Sequence, residues 1–119
     1  TIVTGTKRTH GTAADDVIVG TGQAETIDGR GGDDAICAMA GNDSMRGGAG
    51  RDTLNGAGGD DRLQGGGGSD RLTAGGGRDR LRGGGRGDTL EGGAGSDRLQ
   101  GGGGRDRLRG GPGRDVERQ

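Results

Sequence analysis

Large apolar residues stand at every ninth position along most of the chain. With position one set at Gly11, residues 11 to 118 divide into twelve nonads without insertion or deletion. Position eight of these nonads reads Ile18, Ile27, Ile36, Met45, Leu54, Leu63, Leu72, Leu81, Leu90, Leu99 and Leu108, and fails only at Glu117. Positions seven and nine are polar in most nonads, so each nonad ends on a period-two pattern that predicts a short strand with one buried face.

The first six positions of each nonad are rich in glycine and predict a turn between consecutive strands. Glycine suits such a turn because it adopts positive φ angles and lets neighbouring backbones approach closely. A single nonad cannot bury its own apolar face, so each must be completed by its neighbours. The pattern therefore predicts an all-β solenoid of stacked coils.

Composition raises an alternative. The chain has 119 residues, of which 35 are glycine, and its hydrophobic content is 24% with no aromatic residue. Such values are typical of linkers that stay disordered. A linker has no reason to hold an unbroken register, so the register favours the solenoid. The apolar column is nevertheless too small to order so much glycine, and a further source of stability is required.

Carboxylates fill position six of every nonad. They are Asp16, Glu25, Asp34, Asp43, Asp52, Asp61, Asp70, Asp79, Asp88, Asp97, Asp106 and Asp115. Stacked parallel strands lie about 4.8 Å apart, so rows of like charge repel one another unless a cation lies between them. Calcium takes six to eight carboxylate and carbonyl oxygens in irregular geometry, whereas magnesium prefers a small octahedral shell. Zinc would require His or Cys ligands, and the chain has only His10 and Cys37.

The repeats "GGAGRDTLN", "GGGGSDRLT", "GGAGSDRLQ" and "GGGGRDRLR" fit the pattern G-G-x-G-x-D-x-U-x, where U is a large apolar residue. In this the chain resembles the RTX (repeats-in-toxin) calcium-binding nonapeptide family over residues 11 to 118. The resemblance implies a right-handed parallel β-roll of about six coils, with two nonads in each coil. It also implies calcium ions between turns two repeats apart, with at most ten sites in two columns.

The resemblance further implies which atoms bind each ion. The ligands are the position-six carboxylates of two repeats, carbonyls of positions two and four of the first, and carbonyls of positions one and three of the second. One central site would use Gly48, Gly50 and Asp52 with Gly65, Gly67 and Asp70, and the next would use Gly66, Gly68 and Asp70 with Gly83, Gly85 and Asp88.

Some repeats depart from the pattern, and the departures are Ala14, Gln23, Glu25, Arg86, Pro112 and Glu117. Those in the first two repeats weaken the first sites. Arg86 takes position four, with Gly87 after it, and predicts a distorted turn. Pro112 and Glu117 mark a degenerate last repeat that resembles the terminal cap of a solenoid.

The two predicted sheets differ on their outer faces. In the sheet formed by the even-numbered repeats, positions seven and nine are expected to point outward. They carry the arginines Arg46, Arg62, Arg80, Arg82, Arg98 and Arg118. Two interpretations stay open: a solvated surface that resists edge association, or a binding face for an anionic polymer. Single-stranded nucleic acid is disfavoured because no aromatic residue is present to stack on bases.

On the other sheet, the outward positions near the N-terminus are apolar, namely Val17, Val19, Ala35 and Cys37. We expect residues 1 to 3 to fold over this small apolar patch. Cys37 is either a free thiol or half of a disulfide with a partner elsewhere.

The resulting hypothesis divides the chain into a lead-in or cap at 1–10 and a β-roll at 11–118. It is a secreted, non-enzymatic module with no membrane span that folds on binding calcium outside the cell, while any export signal lies outside this sequence. The resemblance implies that the module stabilises a neighbouring domain of a parent protein or aids its export. The alternative function is a structural or adhesive extension whose arginine face binds an anionic cell-surface polymer.

Overall fold

The computed structural model of the chain describes residues 2–4 and 7–119, and of residues 2–4 it describes the backbone alone. These residues form fourteen strands and no helix. The strands are β1 (Ile2–Thr4), β2 (Arg8–His10), β3 (Val17–Val19), β4 (Thr26–Asp28), β5 (Ala35–Cys37), β6 (Ser44–Ala49), β7 (Thr53–Gly58), β8 (Arg62–Gly67), β9 (Arg71–Gly76), β10 (Arg80–Gly84), β11 (Thr89–Ala94), β12 (Arg98–Gly102), β13 (Arg107–Arg109) and β14 (Val116–Arg118). Without a helix, the described residues offer nothing long and apolar enough to cross a membrane in that form.

The strands alternate between two parallel sheets. The odd sheet has the order β1-β3-β5-β7-β9-β11-β13, and the even sheet has the order β14-β12-β10-β8-β6-β4-β2. Each strand therefore pairs with the strands two places away in the chain, and two nonads complete one coil. The predicted all-β parallel roll of about six coils is confirmed.

The core is a single layer of position-eight side chains between the sheets. Leu54, Leu72 and Leu90 stand in register on neighbouring strands of the odd sheet and are fully buried. From Ile18 to Leu99, every position-eight residue is at most 2% exposed. Ala38 and Ala74, which take position one of their repeats, are buried as well. The molecule is only 13 Å thick along its shortest axis, as expected for two sheets joined by one layer of side chains.

The residues before the first repeat add a further pair of strands to the roll. In β2, Thr9 lies beside Ile27 of β4 and is 5% exposed, so it occupies the core column at position eight. Two residues earlier, Lys7 stands at position six, where the repeats carry carboxylates. The register of nine thus extends upstream of Gly11 with residues that do not match the repeat.

The expected fold-back of residues 1 to 3 over the odd sheet differs from the structure. Ile2 and Val3 lie in β1, which extends the odd sheet in its own plane by pairing with β3, and Thr1 lies outside the described residues. Val17 of β3 remains 46% exposed. The edge of β3 has backbone N–H and C=O groups that need hydrogen-bond partners, and another strand supplies them. This backbone pairing places Ile2–Thr4 at the edge of the sheet and not over its face.

The last repeat ends the roll with polar contacts. The Glu117 carboxylate stands where an apolar residue stands in the other repeats, and it accepts a hydrogen bond of 2.6 Å from the Gly110 N–H. Val116 of β14 is 46% exposed, and Leu108 is only partly buried.

Arg86 and Cys37 bear on two of the expectations from the sequence. Arg86 adopts a φ of 73°, so this arginine itself takes the left-handed conformation of position four and keeps the turn. The predicted distortion is therefore absent from this turn. The Cys37 thiol is free within the described residues, and its sulfur lies 3.7 Å from that of Met39.

Candidate metal sites

The position-six carboxylates form two columns along the turns of the roll. The odd column contains Asp16, Asp34, Asp52, Asp70, Asp88 and Asp106, and the even column contains Glu25, Asp43, Asp61, Asp79, Asp97 and Asp115. In both columns, Oδ1 of each aspartate from Asp34 onward accepts a hydrogen bond from the backbone N–H of the column member 18 residues earlier. These bonds measure 2.7 to 3.0 Å and fix each of these ten carboxylates against the preceding coil.

The second carboxylate oxygen has a different environment. In nine members Oδ2 is buried and accepts no hydrogen bond from any described residue: Asp34, Asp43, Asp52, Asp61, Asp70, Asp79, Asp88, Asp97 and Asp106. Buried polar atoms in folded proteins nearly always have a partner, so nine periodic exceptions indicate a ligand that the side chains do not supply. The turns that carry these carboxylates are rich in glycine, so they offer few side chains that could donate to Oδ2.

A position-one glycine stands beside seven of these nine oxygens, and Ala38 and Ala74 take its place in the repeats of Asp43 and Asp79. At Gly65, an added Cβ would overlap Oδ2 of Asp70 and would lie 2.7 Å from the carbonyl oxygen of Gly83. The same overlap with the carboxylate recurs at Gly47 with Asp52 and at Gly83 with Asp88. In the turns where position one is glycine, its missing side chain leaves room for the carboxylate and carbonyl oxygens to lie close together.

Burial makes the charged form of these carboxylates unfavourable. It raises the pKa of Asp52, Asp61 and Asp70 to about 6 and that of Asp79 to about 7. The N–H bond from the preceding coil opposes this shift, and the neighbouring carboxylates reinforce it. Burial likewise raises the pKa of Asp34, Asp43, Asp88 and Asp97. A cation beside Oδ2 would reverse these shifts by favouring the ionised form.

The backbone positions predicted as ligands lie in adjacent turns on the same side of the roll. Gly48 and Gly50 lie directly against Gly66 and Gly68 of the next coil, and all four have positive φ. Two of the predicted carbonyls already accept one hydrogen bond of 3.0 Å: that of Gly67 from the Gly50 N–H, and that of Gly66 from the Gly85 N–H. A carbonyl oxygen has two lone pairs, so each of them keeps one for a further partner.

The donor set suits a hard cation. No three His, Cys, Asp or Glu side chains converge on one point within the described part of the chain, so a site made from side chains alone is not present there. Paired carboxylates together with turn carbonyls would offer a cation an all-oxygen environment, which is the kind that calcium accepts.

Two threonines that the sequence interpretation overlooked occupy the first turns. Thr12 and Thr21 stand at position two and donate hydrogen bonds to Asp16 and Glu25, the first member of each column. These are the two carboxylates that the turn itself supplies with side-chain and backbone donors. The signal was a threonine at position two, where the later repeats have glycine, alanine, arginine or methionine.

Comparison with known families assigns the repeats. The family model for the RTX calcium-binding nonapeptide repeat, which spans four copies, matches residues 10–45, 46–81 and 82–117. No curated protein and no solved structure matches the chain.

Proposed function

Since the chain belongs to the RTX calcium-binding nonapeptide repeat family, we propose that it is a module that folds on binding calcium outside the cell and stabilises or aids the export of a parent secreted protein. The family is a structural calcium-binding module and not an enzyme family. RTX repeats are typically found in secreted proteins. The proposed module comprises residues 11–118, with residues 1–10 as its lead-in.

The observation that carries this proposal is the pair of carboxylate columns, in which nine Oδ2 atoms are buried and accept no hydrogen bond from a described residue. Charged carboxylates in such positions repel one another and lose hydration, so they oppose folding of the metal-free chain. Calcium supplies positive charge and oxygen coordination to these atoms when it is bound. The chain's own contribution is to hold Oδ1 on the preceding coil and to direct Oδ2 into the turn.

The proposed ligands follow from the two-repeat spacing of each column. A central ion would be held by Asp52 and Asp70 with carbonyls of Gly48, Gly50, Gly65 and Gly67. The next would be held by Asp70 and Asp88 with carbonyls of Gly66, Gly68, Gly83 and Gly85. Each interior aspartate thus serves two neighbouring sites.

Extracellular calcium modules bind their ions at about 10⁻⁴ to 10⁻³ M. Calcium at such levels is present outside cells, whereas cytosolic calcium is far lower. A chain whose folding free energy comes largely from calcium would therefore remain unfolded during synthesis and fold after export.

Calorimetric titration of the chain with calcium tests the proposal. We expect saturable binding of several ions, with little response to magnesium at the same concentration. Asp61→Asn should reduce the number of bound ions and raise the calcium midpoint, because Asp61 belongs to two sites. The matched control is Asp60→Asn, an exposed position-five residue that accepts a hydrogen bond from the Arg78 N–H.

Asn42 already performs the same role in that position-five column, since its Oδ1 accepts a hydrogen bond from the Asp60 N–H at 2.8 Å. Asp60→Asn should therefore bind calcium like the original chain. Equal effects of the two substitutions, or no calcium binding by the original chain, would contradict the proposal.

A second candidate function comes from the outer face of the even sheet. Arg62, Arg80 and Arg98 are directly paired on three neighbouring strands, and like charges in that arrangement repel. Together with Arg46, Arg82 and Arg118 they line a shallow groove of about 960 Å³ along the sheet. None of the six forms an ion pair with another described residue. We propose that this groove binds an extended sulfated or carboxylated polysaccharide through charge complementarity.

Binding of the calcium-loaded chain to heparin at increasing salt tests this second function. We expect retention at low salt that falls steeply as salt rises, because the contacts are electrostatic. The triple variant Arg62→Gln, Arg80→Gln, Arg98→Gln should bind at least about tenfold more weakly, a change of about 1.4 kcal/mol. The control triple variant carries Arg71→Gln, Arg107→Gln and Arg109→Gln on the opposite sheet and should bind normally. Absence of binding at low salt would exclude this function.

A further inference from the structure

The first carboxylate of each column accepts hydrogen bonds from its own turn, whereas Oδ2 of the nine aspartates from Asp34 to Asp106 accepts none from a described residue. Thr12 donates to Oδ2 of Asp16 from its backbone N–H at 2.5 Å and from its hydroxyl at 3.0 Å. Thr21 donates to Glu25 in the same way, with its N–H 2.9 Å from Oε2 and its hydroxyl 2.6 Å from Oε1. One repeat has aspartate at position six and the other has glutamate, yet both carboxylates are bonded by the position-two residue. The feature that the two repeats share is the threonine at position two.

The backbone of these two turns also differs from all later turns. Position two has a positive φ in every repeat from the third onward, namely at Arg30, Met39, Gly48, Ala57, Gly66, Gly75, Gly84, Gly93, Gly102 and Gly111. Thr12 and Thr21 do not adopt a positive φ, and neither do Ala14 and Gln23 at position four. A β-branched residue is strongly disfavoured in the left-handed region, so threonine imposes the other conformation on its turn.

Resting on the proposed calcium-binding function, we infer that Thr12 and Thr21 close the first turn of each column to calcium and take the place of the ion there. Their donors satisfy Asp16 and Glu25, and the turn conformation that exposes the later carbonyls is absent. Asp16, which the repeat pattern alone assigns as a ligand, is then a structural carboxylate.

This assignment fixes where the calcium array begins. Six carboxylates in a column form five neighbouring pairs, and closing the first pair leaves four. The two columns together then hold at most eight ions, with Asp34 and Asp43 as their first ligands. The N-terminal coil is held by hydrogen bonds that do not require metal, and it presents Asp34 and Asp43 as a formed edge to which the first ions bind.

Native mass spectrometry of the calcium-loaded full chain counts the ions and tests the assignment. Asp16→Asn should leave the ion count unchanged, because asparagine still accepts the hydrogen bonds from Thr12. Asp61→Asn is the positive control and should lose two ions. The double variant Thr12→Gly, Ala14→Gly restores the repeat pattern beside Asp16 and should gain one ion relative to the original chain.

Loss of an ion in Asp16→Asn would overturn the assignment, as would an unchanged count in the double variant. A failure of the proposed function gives a different result, since neither the original chain nor any variant would then retain calcium and Asp61→Asn would have no effect. Circular dichroism in calcium confirms that each variant is folded before its ions are counted.

Discussion

Transferring the chain from millimolar calcium into excess chelator is expected to abolish its far-ultraviolet β signal, and adding calcium back should restore that signal cooperatively. The metal-free roll must bury two columns of like charge with only one layer of apolar side chains to stabilise it. At about ten times its dissociation constant, which about 1 mM calcium reaches for a site of about 10⁻⁴ M, each site adds about 1.4 kcal/mol of stability. Eight such sites together add about 11 kcal/mol, which is comparable to the total stability of a small domain, about 5 to 15 kcal/mol.

Magnesium at the same concentration serves as the control and should restore little of the signal, because it keeps its own water shell. A full β signal in chelator would contradict the prediction. In that case the leucine column and the hydrogen-bond ladders would be sufficient to hold the roll.

The metal-free chain should also gain β structure as the pH falls from 8 to 5 in buffer stripped of divalent cations. In the folded roll the pKa values of Asp52, Asp61 and Asp70 are about 6 and that of Asp79 is about 7, above their ordinary value of 3.8. Raised pKa values mean that the ionised groups destabilise the fold above pH 7, and protonation relieves this between about pH 7 and 4. With calcium present the dependence should reverse, because protons compete with the ions for the carboxylates.

The second large effect is expected from Gly68→Ala, with Gly67→Ala as its neighbour and control. Gly68 has a φ of 112°, and an added Cβ would overlap the carbonyl oxygen of Gly50 on the preceding coil. Gly67 has open space around an added Cβ. We expect Gly68→Ala to destabilise the calcium-loaded roll by roughly 2 to 4 kcal/mol through strain and displaced backbone. Gly67→Ala should change the stability by less than about 0.5 kcal/mol.

Thermal unfolding in saturating calcium measures both variants. For a chain of this size, the expected loss in Gly68→Ala lowers the melting temperature by roughly 10 °C or more. Similar melting temperatures for the two variants would show that the close approach of Gly68 to Gly50 does not limit the packing of the coils.

At position four, a positive φ is not restricted to glycine. Arg86 keeps a positive φ where nine later or earlier repeats have glycine, so the stacking of the coils imposes this geometry on it. The sequence predicted a distorted turn at Arg86 because residues other than glycine disfavour a positive φ. The residues just before Arg86 are bonded to both adjacent coils: the Gly85 N–H donates to the Gly66 carbonyl, and the Gly84 carbonyl accepts from the Gly103 N–H.

The N-terminal residues show that the roll extends further than the recognisable repeats. Lys7 and Thr9 fall in the register of nine, yet neither resembles the residue that the repeat places there. Only the pairing of β2 with β4 reveals that Thr9 belongs to the core column. A strand edge accepts any segment of suitable length and backbone geometry, so pairing can extend a roll beyond its recognisable repeats.

The repeats alone were sufficient to predict the period, the parallel β-roll, the buried apolar column and the family, because the same signal recurs about twelve times and depends on no single contact. Which carboxylates have hydrogen-bond partners became evident only from the folded arrangement of the coils. Thr12 lies four residues from Asp16, but its donors reach that carboxylate only because the turn avoids the left-handed conformation. Likewise, the missing donors at Oδ2 of Asp34 to Asp106 become visible only once Oδ1 is bound by the preceding coil. Hydrogen bonding across coils depends on three-dimensional spacing, and a nine-residue pattern does not record it.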